Sequence, residues 1–173
     1  MSEIQQNQVT EIDEAQELRN EDTLEFTTFF YNDHLFGLPI DEVIEINRAL
    51  DVTPVPLAPD YVAGVVNLRG QILTAINLAK RLGLSNGDGK EQETSHNNVI
   101  TGNREEPISL LVQKIGDVIS VPKSQIEPPP DTIAGVDRNF VKFVCKLPRN
   151  LLMVLDREAL ENPEKAGYSG MGE

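Results

Sequence analysis

"YVAGVVNLRGQILTAINL", residues 61–78, is the stretch whose reading decides the fold. Eleven of its eighteen residues are aliphatic or aromatic, yet Arg69 and Gly70 stand in the middle. Tyr61–Leu68 is β-branched or aliphatic and poor in helix formers; Gln71–Asn77 is similar. Each piece is about one strand long. Glycine takes a positive φ without a steric penalty, as a tight turn requires. The stretch therefore predicts a β-hairpin with NLRG at its tip, not an interrupted helix. Strands apolar on both faces suit the wall of a small barrel or sandwich. The following "NLAKRLGL" predicts a short helix, capped by Asn77 and ended by Gly83.

The same pattern extends in both directions. "LEFTTFFYN" (24–32) alternates and ends in a turn at Asn32-Asp33, followed by "LFGLPI" and "EVIEI" (42–46). Later come "NVIT" (98–101), "ISLLVQKI" (108–115), "DVISV" (117–121), "VKFVCKL" (141–147) and "LLMVLD" (151–156), then one or two helical turns in "REALEN". Many short strands separated by turn signals predict an all-β protein. The polar segment 84–98 reads as an exposed loop joining two halves.

Those halves resemble each other. "APDYVAGVV" (58–66) lies over "PPDTIAGVD" (129–137), "NLRGQILTAIN" (67–77) over "KLPRNLLMVLD" (146–156), and "FGLPIDEV" (36–43) over "ISVPKSQI" (119–126). Three matches in the same order suggest two related units of about 55 residues. Units that small close most easily as five-stranded barrels. We expect two side by side, a first repeat over 24–83 and a second over 99–162. Partners usually bind at such a seam. Residues 1–23 read as an acidic solvated tail and 163–173 as a flexible C-terminal one.

Charge and motif content narrow the function. The net charge of −13 disfavours nucleic acid and anionic lipid. Residues 1–25 carry eight acids against Arg19 alone. No window is apolar enough to span a bilayer, and the polar N-terminus is not a secretion signal, so the expected location is the cytoplasm. Cys145, the single cysteine, reads as an inert core thiol. His34 and His96 fall in predicted loops and read as surface side chains. Phosphate-loop, dinucleotide, zinc-protease and nucleophile-elbow motifs are missing. We therefore expect no enzyme, no cofactor and no metal.

"PDYVAGVVNLRGQILTAINLAKRLGL" (59–84) closely resembles the hallmark segment of the CheW family, adaptors of bacterial chemotaxis. "LFGLPIDEVIEI", "GDVISVPKSQIEPPP" (116–130) and "LLMVLDREAL" resemble further family segments in the family's order, from about Leu24 to Asn162. The resemblance implies two five-stranded SH3-like barrels in one CheW-like domain, 24–162, with short helices after the hairpins. It implies a non-catalytic coupler that binds the cytoplasmic hairpin tip of chemoreceptors and the regulatory domain of the histidine kinase CheA. It also implies recruitment to membrane arrays through those partners. The length leads us to expect a stand-alone adaptor without an appended receiver. One departure is "LTAINL", where the family commonly has a "VPVIDL"-like run; Asn77 can still cap the helix.

A charge beside apolar strands needs a partner. Glu45, between Ile44 and Ile46, faces the same problem, and the resemblance implies that it pairs with Arg69. Carried over by motif, the receptor-contact positions are Val43, Glu45, Gly64, Arg69, Ile115 and Val118. Gly64 also reads as a point of close backbone approach. The alternative is a small-ligand or carbohydrate-binding barrel module, although 5% aromatics and no tryptophan leave little surface for a sugar to stack on.

Overall fold

A computed structural model describes residues 22–84, 96–133 and 135–162; the sequence readings of the tails and of most of the 84–98 segment lie outside these residues. Among the described residues the chain is all-β with short helices. The strands are β1 (Thr23–Tyr31), β2 (His34–Pro39), β3 (Val43–Arg48), β4 (Val62–Leu68), β5 (Gln71–Asn77), β6 (Asn97–Gly102), β7 (Pro107–Val112), β8 (Lys114–Pro122), β9 (Ile126–Glu127), β10 (Val141–Lys146) and β11 (Leu151–Leu155). Helix α1 (Leu78–Arg81) follows β5, and α2 (Arg157–Glu161) follows β11.

The strands form one sheet in the order β8-β1-β2-β11-β10-β9 and another in the order β3-β6-β7-β5-β4. Both sheets curl. In the first, the end strands β8 and β9 are joined by only the 3-10 turn Lys123–Gln125, so its ends meet. In the second, Thr53, five residues beyond β3, exchanges two 2.8 Å backbone hydrogen bonds with Val65 on β4. These are the two SH3-like barrels, but one has six strands.

The barrels are not the two halves of the sequence. The five-stranded barrel is continuous from β3 to β7. The six-stranded barrel combines the N-terminal β1–β2 hairpin with β8–β11. Hence β2 lies parallel to β11, with Gly37 opposite Val154, and β5 lies parallel to β7, with Ala75 opposite Ser109. The expected division into 24–83 and 99–162 is corrected accordingly: each half lends its first hairpin to the other half's barrel.

The break between strands near residue 113 has a physical cause. "ISLLVQKI" was expected to be one strand; instead β7 ends at Val112 in one barrel and β8 begins at Lys114 in the other. Gln113 pins the crossover: its side chain accepts from the Asn32 amide at 2.7 Å and its carbonyl accepts from Asn97 Nδ2 at 3.3 Å. The matched blocks 36–43 and 119–126 share one corner. Pro39 and Pro122 have φ, ψ of −51°, 139° and −59°, 136°, and each opens a three-residue 3-10 turn. The AGV match fails structurally, because Gly64 lies in β4 whereas Gly135 lies in the loop before β10.

Each barrel has its own core: Phe26, Leu35, Val121, Cys145, Leu152 and Val154 in the first, and Val66, Leu73, Ala75 and Ile100 in the second. The largest cluster lies between them and joins Phe29, Phe36 and Leu38 to Ile76, Val99 and Leu110. Arg81, buried to 5% exposure, stitches the same boundary. It donates to the carbonyls of Ala159, Leu160 and Asn162, capping the end of α2, and stacks over Tyr61 at 3.9 Å and Phe140 at 4.9 Å. A helix C-terminus with orphan carbonyls is a natural seat for a cation.

Candidate functional site

The NLRG turn holds two residues at positive φ, Arg69 at 51° and Gly70 at 86°, with Leu68 opposite Gln71. A two-residue hairpin needs such dihedrals, because they match the twist of the flanking strands. Gly70 suits them; arginine is an uncommon occupant. Asn67 steadies the turn by accepting from the Gly70 amide at 2.8 Å.

The Arg69 side chain reaches across the closure of the five-stranded barrel to Glu45. Nη1 donates to Oε2 at 2.7 Å and Nη2 to Oε1 at 3.1 Å. This two-pronged geometry fixes the carboxylate plane as a lysine could not. Asn47 donates a further bond to Glu45 Oε1 at 2.6 Å. The Asn47 and Arg69 bonds hold the Glu45 carboxyl below the ordinary glutamate range. Since β3 and β4 are the two ends of this sheet, the pair ties one edge to the turn that leaves the other.

Gly64 sits beneath that closure with φ at 150°. A Cβ there would lie 2.1 Å from the Thr53 carbonyl oxygen, on the segment that bridges to β4. The close approach read from the sequence is therefore backbone against backbone. Val43 begins β3 and packs on the inter-barrel core.

A crevice of about 650 Å³ opens where the barrels meet. Ile46 and Arg48 of β3 line one side, His96 and Asn97 the floor near β6, and Ile115 of β8 the other side. Ile115 thus lies on the crevice wall, whereas Glu45 points from the opposite face of β3 to Ile46 and pairs with Arg69 at the closure of the five-stranded barrel. Val118 is further along β8 and 55% exposed, on the strand face opposite Val121, which is in the core.

Sequence reasoning missed the exposed isoleucines. Ile44 and Ile46 are each 41% exposed, whereas Glu45 between them is the side chain held in place. Ile72 at 61% and Leu57, fully exposed at a φ of 63°, extend the apolar surface of this barrel. Apolar runs announce strands but do not say which apolar residues stay outside. The histidines also need correction. His34 opens β2 and stacks near Phe36, and half-buried His96 places Nε2 3.2 Å from the Leu50 carbonyl oxygen. Cys145 is fully buried, and burial pushes its thiol above the ordinary cysteine range.

The other barrel presents a second cavity, about 550 Å³, at the mouth formed by β1, β8 and the β10–β11 turn. Phe30, Ile119 and Leu147 line it, with Lys114, Asp117 and Arg149 about its rim. Ile115 lines both cavities.

The CheW-like domain family matches residues 25–164. The chain is 32% identical over 138 residues to the chemotaxis protein CheW of Treponema pallidum, covering 79% of this chain and 81% of that protein. It is 31% identical over 145 residues to the chemotaxis protein CheW of Helicobacter pylori, covering 82% and 83%. The crystal structure of the scaffolding protein TtCheW from Thermoanaerobacter tengcongensis superposes with a TM-score of 0.71 at 26% identity, covering 82% of this chain and 90% of that one.

Proposed function

The chain belongs to the CheW-like domain family, and on that footing we propose that it is a non-catalytic chemotaxis adaptor, one that seats the helical cytoplasmic tip of a chemoreceptor in the inter-barrel crevice and binds the regulatory domain of the histidine kinase CheA at another surface. It works in the cytoplasm and joins membrane arrays through those partners. The observation that carries this reading is the crevice itself. It is walled by Ile46 from one barrel and Ile115 from the other, and the Arg69–Glu45 pair is held on the other face of the same strand, β3. An amphipathic helix binds by laying its apolar face into such a groove. A charged pair beside the groove fixes register and selects partners more than it adds affinity.

Val43, Glu45, Gly64, Arg69, Ile115 and Val118 do not all act alike in this reading. Arg69 and Glu45 present a charged pair at the barrel's closure, Ile115 supplies wall, and Val118 extends the contact along β8. Gly64 and Val43 act indirectly by setting the closure and seating β3. Calorimetric titration with a receptor cytoplasmic fragment tests the proposal. Ile46→Glu should weaken receptor binding by about tenfold or more while pull-down of the CheA regulatory domain is unchanged. Receptor affinity indifferent to a carboxylate at residue 46 would remove the crevice from the account.

A further inference from the structure

The two barrels treat their tip arginines differently. Arg69 is bound by Glu45; Arg149, on the matching β10–β11 turn, has no ion-pair partner among the described residues, and neither does Lys114 across the cavity. Two cations therefore flank an apolar floor made by Phe30, Ile119 and Leu147, against one carboxylate, Asp117. The chemistry that would fill this mouth is an apolar side chain flanked by carboxylates.

We propose that the occupant is this chain's own N-terminal segment, with Ile12 of Glu11-Ile12-Asp13-Glu14 in the cavity and its neighbouring carboxylates on Lys114 and Arg149. The inference goes beyond the adaptor reading and does not depend on it. Reach permits it. Eleven residues from Ile12 to Thr23 span up to about 36 Å, and β1 from Thr23 to Phe30 covers about 24 Å. A short tether gives an effective concentration on the order of millimolar, enough to occupy a weak site. Because Ile115 lines both cavities, the docked segment would lie against the crevice wall.

The test uses the full chain. Gln8→Cys carries a nitroxide, since Cys145 is fully buried. Amide NMR intensities are compared between oxidised and reduced label, with the labelled protein diluted into unlabelled protein to remove contacts between copies. Docking predicts that the amides of Ile115, Asp117 and Asn150 lose roughly half or more of their intensity at low salt, while Ile72 and Thr74 in the other barrel do not. The loss should disappear in Lys114→Glu/Arg149→Glu and return when Glu11 and Asp13 are also changed to lysine. Equal broadening in both barrels, broadening that vanishes on dilution, or broadening indifferent to charge reversal would each overturn the proposal.

Discussion

The barrels carry matching hairpins, β4–β5 and β10–β11, each with an arginine at its turn, but they finish their mouths in opposite ways. In the five-stranded barrel the tip arginine bridges to an edge strand, and Gly64 lets the backbone close beneath it. In the six-stranded barrel the tip stands over an open cavity, and closure falls to the short β9, where Val144 faces Glu127 and Cys145 faces Ile126. A shared topology therefore does not determine a shared surface. One or two side chains decide whether a barrel mouth is sealed or left as a binding site.

The most severe way to break the closed mouth is at Gly64. Gly64→Val would drive a side chain into the Thr53 carbonyl, which belongs to backbone and cannot swing aside. We expect destabilisation above about 4 kcal/mol or failure to fold, measured by urea denaturation. Gly70→Ala provides the contrast. Nothing lies within 4 Å of a Cβ there, so only the positive φ is penalised, at about 1–2 kcal/mol. Similar losses at the two glycines would mean that the Thr53 bridge is not what seals the barrel.

Next in size is the link between barrels. Arg81→Met keeps much of the volume but leaves the carbonyls at the end of α2 without their donor. Unsatisfied buried acceptors cost about 1–3 kcal/mol, so a loss of about 2–4 kcal/mol is expected. The large common core predicts that unfolding remains a single transition, whereas independent barrels would show two in calorimetry.

These effects mark how far the sequence could be read. The strands, the NLRG turn and the Asn77 cap follow from local chemistry, and the Asn77 side chain does accept from the Lys80 amide at 3.1 Å. The exchange of hairpins does not follow. The corners after Pro39 and Pro122 have nearly the same backbone geometry, yet one leads from barrel to barrel and the other stays within its own. Local sequence sets the bend; the strand's partner is chosen by burial against distant residues. Arg81 was illegible for the same reason, because its carbonyl partners lie some eighty positions away.

Arg69→Asn sharpens the comparison at smaller energetic cost. Asparagine tolerates the left-handed conformation better than arginine, so the turn gains as the ion pair is lost. Stability should change by less than about 1 kcal/mol, while receptor binding falls by about tenfold or more. Arg149→Asn, at the open mouth, should leave receptor binding within about twofold of the parent. If both substitutions weakened binding alike, the two tips would be one continuous receptor surface.

The smallest effect separates the two side chains that donate to Glu45. Its carboxyl titrates below the usual glutamate range, so its stabilising contribution is complete above the unfolded-state value. It is lost only as the pH falls through the lower, folded value. The Asn47 hydrogen bond is the largest single cause of that depression, and Arg69 adds two more, its own hydrogen bond and its charge. An NMR titration of the Glu45 carboxyl carbon should therefore move upward in both Asn47→Ala and Arg69→Asn, and both should remain below or near the ordinary range. A titration that moved in Arg69→Asn alone would mean that the guanidinium, rather than the neighbouring amide on the same strand, orients the carboxylate. Arg69 would then position the carboxylate as well as pair with it.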